Sequence, residues 1–258
     1  VKMILNSLKK QRQTEQGNVL FLILIAVALF AYLGFTMTKS SQSIDNNDQE
    51  RAYLDASDVI KYAAQVSSAI ERIRLANHCK LKQMSFDHPK RAEYSLTGEF
   101  YANSNAPMGR SCHVFENATV NVLYVIPPPS SQAVGGTEYN IHSNLGVYSV
   151  GTDSGNAGVD LTMATYVTED VCFQINKIMG NRNPSGVPPV ADTTAITVPG
   201  TAAETFPYFA SFADEGIGLG TSLGKDAGNA TELAGRPTGC FYASSNSKYT
   251  FYSVLIPR

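Results

Sequence analysis

The chain has no tryptophan, and only four cysteines and four histidines in 258 residues. None of the histidines, His78, His88, His113 and His142, sits in a catalytic motif. There is no G-x-S-x-G elbow, no H-E-x-x-H helix and no C-x-x-C pair, so the common hydrolase, metallopeptidase and dithiol signatures are all missing. No catalytic residue, cofactor-binding residue or metal ligand is assigned, and the chain reads as a non-enzyme. A basic surface is missing as well. Setting aside Lys2, Lys9, Lys10, Arg12 and Glu15 from the 20 basic and 22 acidic residues leaves 16 bases against 21 acids. A nucleic-acid partner, which calls for clustered Lys and Arg, is not expected.

Gly216 to Lys225, GIGLGTSLGK, looks phosphate-friendly but fails both nucleotide patterns. A P-loop needs glycine where Leu219 stands and Ser or Thr where Asp226 stands, and Thr221 and Leu223 spoil the dinucleotide pattern. The adjacent acids Asp214-Glu215 read as a solvated turn. The loop from Asp153 to Asp160 offers an incidental calcium site at most, without the spacing or the bidentate Glu of an EF-hand.

What the chain has is one uninterrupted apolar run, Val19 to Met37, without charge or proline. At about 1.5 Å per residue it reaches roughly 28 Å, the thickness of a bilayer's hydrocarbon core. Lys2, Lys9, Lys10 and Arg12 precede it against the single acid Glu15, which would keep that flank cytoplasmic and send the rest outward. A cleaved signal peptide is the alternative, with Ala26-Val27-Ala28 as its cleavage site, but the run continues well past Ala28.

Thr38 to Glu50 is polar and poor in helix formers, which suggests a pliable joint. Periodicity then begins. Ala52, Ala56, Val59, Ala63, Val66, Ile70 and Ile73 follow alternating steps of four and three, an apolar stripe on one helix face. The stripe either lies on the chain's own sheet or forms a seam with another copy. Beyond it, 20 glycines and 12 prolines point to a turn-rich, sheet-containing exported region. Val120 to Ile126 reads as a strand closed by Pro127-Pro128-Pro129. Tyr139 to His142 and Val147 to Val150 read as short strands around a Ser143-Asn144 turn. Thr168 reads as an N-cap for a helix over Glu169–Met179, with Glu169-Asp170 in its first turn and Gly180 at its C-terminal cap. Residues 180–207 read as a surface excursion, and Gly239–Ala243 with Lys248–Ile256 as a terminal hairpin.

All four cysteines, Cys79, Cys112, Cys172 and Cys240, fall on the exported side, where an even count favours two disulfides out of three possible pairings. Cys79–Cys112 with Cys172–Cys240 is the local, non-crossing choice. His78-Cys79 and Cys112-His113 leave a zinc alternative, although adjacent His-Cys pairs aim poorly at one ion.

The order of a basic leader, a glycine, an apolar run and an amphipathic helix leading into a sheet resembles the type IV pilin-like proteins: pilins, minor pilins and the pseudopilins of type II secretion. The matching residues are Gln16-Gly17-Asn18-Val19-Leu20-Phe21-Leu22-Ile23. The resemblance implies an α+β fold whose long N-terminal helix, transmembrane half plus amphipathic half, packs on an antiparallel β-sheet head with one additional short helix. It divides the chain into a basic leader (1–17), a transmembrane helix (18–38), an amphipathic continuation (39–77) and an exported head (78–258). It also implies a prepilin peptidase cutting after Gly17 to leave Asn18 first. Partners would be the inner membrane and other pilin-like subunits or their secretion or pilus machinery, with the head in the periplasm. Leu22 stands where the family usually carries a glutamate, which points to a minor or initiating subunit rather than a major one. Assembly would use the helix through Leu22, Gly34, Ala56, Val59, Ala63, Val66, Ile70 and Ile73. The other reading is a single-pass, membrane-anchored periplasmic binding module that never polymerises.

Overall fold

In the computed structural model of the protein, the four-three stripe faces inward: Ala56, Val59, Val66, Ile70 and Ile73 are fully buried. They belong to helix α1 (Lys2–Asn77). The structure describes residues 2–88, 103, 105–115, 117, 119–120, 122–134, 138–151, 160–192 and 222–257, with the backbone alone at 2–20, 33–46 and 142–144. The chain divides into two units, Val1–Glu50 and Arg51–Arg258. Within the first, the backbone of 38–50 is helical. Weak propensity there is outweighed by propagation, since extending an existing helix fixes one residue per hydrogen bond gained. At its other end α1 stops at Asn77, where His78 turns into the left-handed region at φ 53° and the Asn77 amide donates to Ser111 O at 2.6 Å.

The second unit is built on a five-stranded sheet: β1 (Asn140–Leu145), β2 (Asp160–Val167), β3 (Val190–Ala191), β4 (Thr238–Ala243) and β5 (Lys248–Ile256), in the order β1-β2-β5-β4-β3. Helix α2 (Glu169–Ile178) follows β2. Alternation along the strands divides the interior. Leu161, Met163, Val167, Phe251 and Leu255 face α1 and α2, whereas Ala164, Tyr166, Phe241, Tyr252 and Val254 face Leu145, Val147, Leu223 and Leu233. Both faces are covered, so every residue of β2 is buried.

The expected fold is corrected in three respects. The sheet is mixed and not antiparallel, because the chain returns after α2 to lay β3 parallel to β4, Val190 opposite Tyr242. There is more than one short helix: α2 is joined by 3-10 turns at Leu81–Gln83, Pro184–Gly186 and Thr231–Leu233. Among the described residues no helix is long and apolar enough to cross a membrane.

Local expectations fare unevenly. α2 occupies the expected position, with Glu169 and Asp170 in its first turn and Gly180 left-handed at φ 68°. Thr168 takes the extended N-cap backbone but makes no side-chain cap bond. The terminal hairpin matches within a residue. Val120 to Ile126 is not a sheet strand. It makes one isolated bridge, Phe115 with Val122, and then runs past Tyr62, whose hydroxyl donates to Leu123 O and accepts from Val125 N, both at 3.3 Å. Ser143-Asn144 lies inside β1, at a register break between His142 and Leu145, while Val147–Val150 is a turn bridged to Leu223. Part of the 180–207 excursion is β3, and 193–207 lies outside the described residues.

The outer edge of β4 is closed by side-chain amides where β3 does not reach. Asn176 of α2 accepts from Cys240 N at 2.9 Å and donates to Cys240 O at 2.8 Å, as a neighbouring strand would. Asn181 donates to Thr238 O at 2.9 Å, and Pro189 O and Ala191 O take the N–H groups of Tyr242 and Ser244. Asn176 is fully buried, so Asn176→Leu leaves the N–H and C=O of Cys240 unpaired inside the protein. At about 1–3 kcal/mol per orphaned group, the expected loss is roughly 2–6 kcal/mol in a urea titration. A loss under about 1 kcal/mol would show that the amide is dispensable.

Candidate assembly surface

Nine large apolar side chains between Phe21 and Tyr32 of α1 are exposed, among them Leu22 at 60% and Phe30 at 75%. Phe21, Leu22, Ile23, Leu24 and Ile25 are consecutive, and at about 100° per residue they look out in every direction around the axis. A globular helix has one apolar stripe and a polar opposite face. A helix that is apolar all round is normally covered on every side. Gly17, Asn18 and Gly34 lie on the backbone of the same helix.

Ala56, Val59, Ala63, Val66, Ile70 and Ile73 are placed differently. They are buried in the interior of their own unit with Leu161, Met163, Ile175 and Phe251. The stripe therefore lies on the chain's own sheet. The apolar residues this part of α1 exposes are others, Tyr53, Leu54 and Leu75.

Both disulfides form, and they join Cys79 to Cys112 and Cys172 to Cys240, with Cα separations of 5.8 and 5.3 Å. The first ties the end of α1 to the segment before Phe115, and the second ties α2 to β4. The thiols of the zinc alternative are thereby consumed. Among the described residues no three His, Cys, Asp or Glu groups come together to hold a metal. His113 is partly buried; desolvation, then the nearby Arg110 charge, lowers its pKa against the opposing pull of Asp87. His88 is buried, its ring stacked on Tyr124 at 4.7 Å between centroids with the edge of Phe115 against both. Of the calcium loop, 153–159 lies outside the described residues, and Asp160 is buried, accepting from Val147 N at 3.0 Å. Of the glycine-rich segment, 216–221 lies outside them too, as do Asp214 and Glu215. Its Leu223 is buried, and a Cβ on Gly224 would come within 2.7 Å of Ala234 N.

Three tyrosines on or beside the sheet resist ionisation. Tyr249 is pushed up to about 12 by desolvation, then by a hydrogen bond with Glu169 and its charge. Burial raises Tyr252 and Tyr139 further, with Tyr62 and Asp58 adding to the effect at Tyr139. A phenol whose pKa is higher folded than unfolded stabilises the protein fully below the unfolded value near 10, and that contribution is lost as pH rises through the folded value. Stability should therefore be level up to about pH 10 and fall through pH 12. Denaturation midpoints across pH 8–12 test this, and a flat profile to pH 12 would refute it.

Comparison with known proteins gives no match. No family model fits the chain, and no curated protein or solved structure resembles it. The functional reading therefore rests on the chain's own residues. The Asn176–Asn181–Asn183 cluster and the His88–Phe115–Tyr124 cluster escaped sequence reasoning, since isolated Asn and His residues carry no period or spacing that would join them.

Proposed function

We propose that the protein is a non-enzymatic, pilin-like subunit, a minor or initiating component of a type IV pilus or secretion pseudopilus. The observation that carries this reading is the exposed segment 21–32, apolar on every side. Surface of that kind is covered in a working protein, and neighbouring apolar helices are suited to cover it from all directions. The disulfide-tied unit behind it fits an exported head in an oxidising periplasm. Before assembly the subunit would wait at the inner membrane.

Mass spectrometry of the mature chain tests the processing step. A start at Asn18, released by a prepilin peptidase after Gly17, supports the reading. A start at Leu29 would mean signal-peptidase release and loss of most of the apolar segment. An intact leader would favour a membrane-held binding module.

A further inference from the structure

We draw no further inference here: the strongest candidate, the exposed apolar patch of Leu123, Val125 and Ile126 beside Tyr62 of α1, stands on an unpartnered face, and nothing in the structure shows what covers it.

Discussion

Replacing Cys172 and Cys240 together by serine is expected to lower the stability of the unit Arg51–Arg258 by about 4 kcal/mol, from the entropy of closing a loop across 68 residues. The figure comes from the unfolded chain: without the bond, the segment between α2 and β4 explores many more conformations before α2 finds β4. The folded state adds to the loss. Both sulfurs are buried in the same interior as Val171, Ile175 and Phe251, and two serine hydroxyls there would need partners. The matching pair of substitutions at Cys79 and Cys112 closes a loop across 33 residues and should cost slightly less, roughly 3.5 kcal/mol. Since folded domains hold only about 5–15 kcal/mol in all, either loss should make the unit sensitive to heat and proteolysis, and both together should prevent folding at 37 °C. Urea titrations of the oxidised wild type and the two double variants measure this. A loss under about 1 kcal/mol for Cys172→Ser/Cys240→Ser would contradict the view that this bond secures α2 to the sheet.

If segment 21–32 carries the proposed assembly, Leu24→Asp should abolish incorporation into filaments while leaving the unit Arg51–Arg258 intact. Leu24 is exposed at 62% in the middle of the apolar segment, so the carboxylate stays hydrated on the isolated helix. Once neighbouring helices surround it, an unpaired carboxylate is left in an apolar setting. Scales for a charge at the centre of an apolar helix put this at about 2.5–3.5 kcal/mol, a loss of roughly 100-fold in association. Residues 51–258 form a separate unit, so the variant should keep both disulfides and the wild-type unfolding midpoint. A variant that still assembles at the wild-type level would remove segment 21–32 from the contact. One that fails to form the disulfides would show that the substitution acts on folding.

The parts of the fold legible in the sequence are those where several independent preferences agree. α2 has acids in its first turn, an apolar face at Val171, Ile175 and Ile178, and Gly180 where the backbone turns left-handed. The terminal hairpin has two apolar strands around Ser-Ser-Asn-Ser, and the local cysteine pairing follows from where those elements lie. β2 stayed hidden. Its sequence DLTMATYV mixes Thr and Ala among the large residues, and since both faces are covered it shows no inside–outside alternation. β3, two residues long, is too short for any period. The opposite holds at Val120 to Ile126, where strand propensity is strong but the bridge formed is the isolated one between Phe115 and Val122.

The candidate surface was legible in one half only. The apolar run announces itself by composition, and the structure adds that its described side chains are exposed all round. The stripe from Ala56 to Ile73 announces itself by period, but period alone cannot say whether a buried face meets its own sheet or another copy. The packing of Val59, Ile70 and Ile73 with Met163 and Phe251 answers that, and leaves 21–32 as the segment on which assembly would depend.

The most direct test of that dependence is the amount of the wild-type chain in sheared surface filaments, measured by immunoblot against the membrane and soluble fractions of the same cells. If the proposed assembly holds, the chain co-sediments with the filament subunits. Filaments free of the chain, with all of it left in the membrane or soluble fraction, would contradict it.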